Sequence, residues 1–210
     1  MQLVDLTYDR PDLLEQAAEL LHARMPEGWP DVAAAREEVD AALDPARIAR
    51  AVVAGDTLLG WAAANERYTD HVWEIHPLVV RVDRERSGVG RTLVRDLEDR
   101  VRAMGIHTMF VGSDDELGPT SLAGVDLYPD VIGHLARLQN LRGHPIGFYR
   151  RLGYSVIGVM PDANGFGQHD IYLARRLVPQ HDPRVMARAS CRHAPDNWLT
   201  GPQVHLPSGS

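Results

Sequence analysis

The chain has 210 residues, 44% of them hydrophobic and 24% charged, the balance of an ordinary globular protein with one full core. A net charge of −7 argues against a nucleic-acid partner and leans toward cationic ones, and the one cysteine, Cys191, excludes an intrachain disulfide and fits a reducing cytosol. No apolar run approaches a membrane span, and the opening Met-Gln-Leu-Val-Asp-Leu lacks the basic-then-apolar layout of a secretory leader.

Residues 2–7 read as a first strand. A helix is predicted from about 11 to 24, with Leu13, Leu14, Ala17, Leu20 and Leu21 inward and Asp9 or Asp12 as its cap. Pro26 to Pro30 break the chain around Trp29, and Asp31 caps a second short helix to about Leu43. Ile48–Val53 and Thr57–Glu66 form a hairpin around Ala54-Gly55-Asp56.

Trp73-Glu-Ile-His-Pro-Leu-Val-Val80 is a short buried strand. Strict alternation turns Glu74, His76, Leu78 and Val80 to one face and Trp73, Ile75 and Val79 to the other, so two titratable groups share one end of an apolar strand. A turn carrying Gly88 and Gly90 leads into a helix to Met104, whose apolar stripe is Val89, Leu93, Val94, Leu97, Val101 and Met104. Unpaired N–H groups and partial positive charge at the start of that helix suit an anion, and two glycines let a diphosphate come close. The spacing is neither G-x-G-x-x-G nor a P-loop.

His107–Ser113 is the next strand, reached by a right-handed crossover. Residues 114–130 form a loop long enough to be functional, and Asp114, Asp115 and Glu116 open it as an acidic wall at a strand end, where ligands of open sheets gather. A helix over about 130–141 carries Val131, Ile132, Leu135, Leu138 and Leu141 on one face. Pro145 begins a short helix with Phe148 and Tyr149 that Gly153 stops; Tyr154–Met160 and Asp170–Leu177 are strands separated by a loop at 161–165. Residues 178–210 are proline-rich and read as a partly disordered extension in which Trp198 and Leu199 are the docking points. The ten histidines show no metal-ligand spacing, so no metal is expected.

The Gly88/Gly90 turn resembles the pyrophosphate-binding motif of the GNAT acetyltransferases, although Glu85 stands where that motif begins with Gln or Arg. Phe148-Tyr149-Arg-Arg-Leu-Gly153-Tyr154 is similar to the family's second motif, with Arg142 where it has an asparagine. Trp73–Val80, Asp126-Leu-Tyr128, Gln139-Asn-Leu-Arg142, His144-Pro145, Val159–Gly165 and Asp170-Ile resemble the aminoglycoside 6′-N-acetyltransferases, in the dimeric chromosomal branch of enterococci.

The resemblance implies an α+β fold, a mixed twisted sheet of six or seven strands flanked by helices, spanning 1–177. It implies a cytoplasmic homodimer that acetylates aminoglycosides with acetyl-CoA and so gives antibiotic resistance. Acetyl-CoA would lie along Leu78, Val79 and Val80 and on Arg86, Ser87, Gly88, Val89, Gly90, Arg91 and Thr92. The Leu78 backbone N–H would hold the thioester oxygen, and Tyr149 would serve the sulfur. Glu74 suits a general base or ammonium anchor, with His76 beside it. Trp29 would cover a sugar ring, and Glu74, Asp114, Asp115, Glu116 and Asp170 would take its amines. The alternatives are a GNAT enzyme for a polyamine, a small amine metabolite or a protein amine, and a non-catalytic acyl-CoA-binding module.

Overall fold

The computed structural model describes residues 1–68, 70–115 and 120–178. The expectations for Glu116, Cys191, Trp198, Leu199 and the extension past Val178 lie outside the described residues.

The elements run β1 (Gln2–Asp5), α1 (Pro11–Arg24), α2 (Val32–Ala42), β2 (Ile48–Ala54), β3 (Thr57–Tyr68), β4 (Val72–Val80), α3 (Val89–Ala103), β5 (Thr108–Asp114), α4 (Val131–Ala136), α5 (Ile146–Arg151), β6 (Ser155–Gly165) and β7 (Gln168–Arg176). Seven strands form one mixed sheet in the order β1-β2-β3-β4-β5-β7-β6. The β4–β5 pair is parallel and every other pair is antiparallel. This is the expected α+β architecture.

Each sheet face carries its own apolar cluster. On one, Val89, Leu93, Val94, Leu97 and Val101 of α3 pack on Trp73, Ile75, Met109, Val111 and Leu173, together with Ile146 and Tyr149. On the other, Leu13, Leu14, Ala17 and Leu21 of α1 and Ala35 and Val39 of α2 cover Trp61, Ala63 and Val79. Asp31 caps α2 by accepting from the Ala34 N–H at 2.8 Å. Neither Asp9 nor Asp12 caps α1. Arg10 is the cap residue, Pro11 at the first helical position has no N–H to satisfy, and the Asp12 carboxylate is taken by the Arg10 guanidinium. Among the described residues no helix is long and apolar enough to cross a membrane.

The alternation predicted for Trp73–Val80 breaks midway. Ala64 is opposite Ile75 while Ala62 is opposite Leu78, so β4 spends one residue more than β3 at His76–Pro77. Such a bulge reverses which face each later side chain takes. Leu78 and Val80 therefore pack with Trp73 and Ile75 on the α3 side, and Val79 joins the α1/α2 side. Glu74 and Leu78 lie on opposite faces.

Two further expectations change. α4 stops at Ala136, because the following residues pair with 120–121: Asn140 bridges Thr120, and Ser121 donates to the Gln139 carbonyl at 2.9 Å. Its supposed stripe is broken, with Ile132 75% and Leu141 57% exposed. The loop expected at 161–165 is the outer half of β6, irregularly paired with β7 and returning through Phe166–Gly167.

Candidate active site

The sheet opens in its middle. β4 pairs with β3 as far as Val80, but with β5 only from Val72 to Glu74, opposite Thr108 to Phe110. β5 instead keeps β7 along its whole length to Asp114. From Ile75 onward the far edge of β4 has no strand partner among the described residues, and alternate peptide groups of Ile75–Val80 point into a wedge. Backbone donors aimed into an apolar gap are what a carbonyl oxygen gathering charge requires. Leu78, half-buried, lies along this edge with Val79 and Val80.

The wedge leads to the start of α3. A 3-10 turn at Val82–Arg84 is followed by Arg86 at φ 58° and Gly88 at φ 96°, both left-handed, and Gly88 is the cap residue of α3 with no side-chain cap. The first N–H groups, at Val89, Gly90 and Arg91, are therefore left without a capping side chain. Thr92 already donates to the Gly88 carbonyl at 2.9 Å, and Ser87 Oγ donates to that of Arg84, so both are spent on the turn. Val89 has its side chain buried beneath Gly60, whose missing Cβ makes the room. Glu85 is turned away and paired with Arg24 on α1 at 2.7 Å, which neutralises the departure from the motif. Arg86 and Arg91 have no carboxylate partner among the described residues, and Arg91 lies over Gly88. Gly90 differs from expectation: a Cβ there would meet the Phe148 ring at 3.4 Å and Val80 at 3.6 Å. At these ordinary distances a Cβ would fit between α3 and α5.

Acids line the face opposite α3. Glu74 stands beside Phe110 on β5, which continues on that face through Gly112 to Asp114; β7 adds Tyr172 and Asp170 by direct register. Asp170 Oδ1 accepts from the Ser113 N–H at 2.7 Å, and Oδ2 fills the space over Gly112, where a Cβ would lie 2.9 Å away. Burial, then the neighbouring Asp114, push the Asp170 carboxyl up to about 6. Asn164 on β6 donates to Asp114 Oδ1 at 2.7 Å. Arg67 Nε lies 3.6 Å from Glu74 Oε2, with its side chain 55% exposed against 17% for Glu74. The Tyr172 ring tilts against Phe110 at 5.4 Å. Trp29 tilts against the exposed His76 at 5.7 Å, which joins two predicted site residues from distant parts of the chain.

Asp115 does not join this wall. It follows Asp114 and so points the other way, buried, accepting from the Thr120 N–H at 2.7 Å and its hydroxyl at 2.6 Å. Tyr149 on α5 is buried edge-on against Phe148 and Tyr154, with ring centroids at 5.0 and 5.5 Å. Burial pushes its phenol well above its ordinary value. Among the described residues no group of three or more His, Cys, Asp or Glu side chains could hold a metal ion.

Arg67, Asn164, Phe110 and Tyr172 were missed. Asp170 and Tyr172 are two apart on a strand, a period that could have revealed their common face. Asn164 was hidden by reading its strand as a loop.

The model of the acetyltransferase (GNAT) family matches residues 14–128. A solved aminoglycoside 6′-N-acetyltransferase complexed with coenzyme A is 39% identical, over 87% of this chain and 100% of that one, with a TM-score of 0.81. The aminoglycoside 6′-N-acetyltransferase from Enterococcus faecium is 39% identical over the same 87% and 100%, with a TM-score of 0.79. An aminoglycoside 6′-acetyltransferase type Ii is 33% identical over 86% of this chain and 99% of that one, with a TM-score of 0.67. Among curated proteins nothing matches.

Proposed function

The chain belongs to the GNAT acetyltransferase family, and on that premise we propose that it is an aminoglycoside 6′-N-acetyltransferase, moving acetyl from acetyl-CoA directly onto the 6′-amine. As a member of that family it is an acetyl-CoA-dependent N-acetyltransferase. The observation that carries the substrate class is the meeting of Glu74, Asp114 and Asp170 on one face of the sheet at the strands bordering the wedge. A rigid polycation needs several carboxylates at once, and a substrate with one amine does not.

The chemistry has three demands: a neutral amine, a polarised carbonyl and a protonated leaving thiolate. The donors at the start of α3, with Arg86 and Arg91, fit the diphosphate of acetyl-CoA, and the open edge of Ile75–Val80 fits an extended acyl arm. The Leu78 N–H is the donor for the carbonyl oxygen. Glu74 anchors the ammonium or takes its proton, with His76 and Trp29 shaping the entrance. Tyr149, which burial keeps protonated, gives its proton to the sulfur. Acetyl-CoA is a metabolite of the cell interior, so the enzyme works in the cytoplasm, where acetylating a drug gives resistance. Like the branch its sequence resembles, it is a homodimer.

The test is thiol release from acetyl-CoA with kanamycin-type drugs carrying a 6′-amine and analogues carrying a 6′-hydroxyl. Only the former should react. Glu74→Gln should lower kcat about 100-fold if the carboxylate is the base, and leave acetyl-CoA affinity intact. Equal rates on both drugs would refute the regiochemistry. No rate on either, with turnover of a simple polyamine, would move the enzyme to the small-amine class.

A further inference from the structure

His144 sits between the two halves of the site and touches neither substrate position. It is 1% exposed. Asn140 clamps its main chain from both sides, donating to the His144 carbonyl at 2.8 Å and accepting from its N–H at 2.9 Å. The ring Nδ1 accepts from the Ile146 N–H, the first of α5, at 3.2 Å. That bond requires a bare Nδ1, so the ring proton is on Nε2, which donates to the Asp114 carbonyl at 2.9 Å. One end of the imidazole therefore holds the strand whose Asp114 side chain forms part of the acid face. The other holds the helix in which Tyr149 follows Ile146 by about one turn.

We propose that His144 is a positioning residue that fixes α5, and with it the Tyr149 hydroxyl, against the carboxylate-bearing end of β5. The inference rests on the reading of Tyr149 as the group that protonates the thiolate. Only the uncharged imidazole can do this, since a second ring proton would set a donor against the Ile146 N–H. Burial lowers its basicity, against the smaller opposing pull of the Asp114 carbonyl, Asp115 and the Asp114 carboxylate. Asp115 Oδ1 is 3.7 Å from Nε2 and already accepts from the Thr120 N–H, while Oδ2 accepts from the Thr120 hydroxyl. Asn140 and His144-Pro145 belong to stretches that set this sequence apart from a bare GNAT motif, and this network gives them a physical task.

The experiment is a double-mutant cycle in the full-length enzyme. His144→Asn keeps an acceptor near Nδ1, and His144→Gln keeps a donor near Nε2, so each breaks one end of the link. Either should lower kcat about 10-fold while calorimetric affinity for acetyl-CoA stays within about twofold. In a Tyr149→Phe background the same substitutions should cost nothing further, because the group they position is gone. Equal losses in both backgrounds, tracking a fall in Tm, would mean that His144 only stabilises the fold and would overturn the proposal. An undiminished kcat in Tyr149→Phe alone would overturn the reading of Tyr149 and the positioning role with it. If neither His144 variant folds, nitrogen NMR of the wild-type ring decides. A proton on Nε2 that persists through pH 6 supports the link. A proton on Nδ1, or a ring titrating at the ordinary value near ~6.5 without loss of kcat, overturns it.

Discussion

Replacing Asp170 by Asn should stabilise the fold and damage the enzyme at the same pH. The Asn oxygen can still accept from the Ser113 N–H, so the change removes charge and little else. The folded carboxyl is pushed up to about 6 by burial and by Asp114, from 3.8 when unfolded. A carboxyl raised on folding contributes stability in full below about 3.8 and loses it as pH climbs through about 6, so at neutral pH the wild type carries an uncompensated charge. A shift of roughly two units is worth about 3 kcal/mol, and screening at a partly exposed site leaves about 1–2 kcal/mol. At about 2–4 °C per kcal/mol for a chain of this size, Asp170→Asn should melt about 3–6 °C above wild type at pH 7.5. The gain should shrink as pH falls toward 4. In the same variant the KM for a polycationic amine should rise about 10-fold at pH 7.5, with that for acetyl-CoA unmoved. Scanning calorimetry paired with thiol-release kinetics measures both. A melting gain equal at pH 4.5 and 7.5, or no gain at either, would refute the reasoning.

Arg67 is the cation paired with Glu74, so Arg67→Gln should free a carboxylate for substrate. An exposed pair of this kind is worth about 0.5 kcal/mol, hence a fall of about twofold in KM for the polycation and a steeper dependence on salt; a rise in KM would show Arg67 binding the substrate instead. At the start of α3, Gly88→Ala forces a side chain into φ 96°, at about 1–2 kcal/mol, and should weaken acetyl-CoA binding. Gly90→Ala meets Phe148 at an ordinary 3.4 Å and should bind acetyl-CoA nearly as wild type does, so calorimetry giving the reverse order would move the anion site elsewhere.

What could be read in advance was whatever depends on local period. The hairpin at Gly55, the Asp31 cap and the apolar stripe of α3 follow from local residue type and spacing, and each stands where expected except Met104, which lies past the last turn of α3 and is 40% exposed. The errors come from pairing between distant segments. Nothing near His76–Pro77 announces that β3 will spend two residues where β4 spends three, yet that one residue moves Leu78 and Val80 to the other face. Residues 137–141 have helical spacing and lose it to hydrogen bonds with 120–121. Asp114 and Asp115 look equivalent in sequence; the pleat sends one to the acid face and the other to Thr120.

The same dependence explains why the site lies where it does. Parting β4 from β5 after Glu74 leaves peptide groups unpaired, and collecting Glu74, Asp114 and Asp170 on one face sets like charges against each other. Both arrangements cost stability, and apolar clusters on the two faces of the sheet offset them. β5 can leave β4 without losing all its strand pairing because β7 holds its other side as far as Asp114. Asp170 is the residue that β7 brings to that end. The strand that makes the opening tolerable therefore also supplies a charge for its occupant, so a substitution that weakens β7 pairing should lower acetyl-CoA binding and amine binding together, whereas Asp170→Asn should lower only the second.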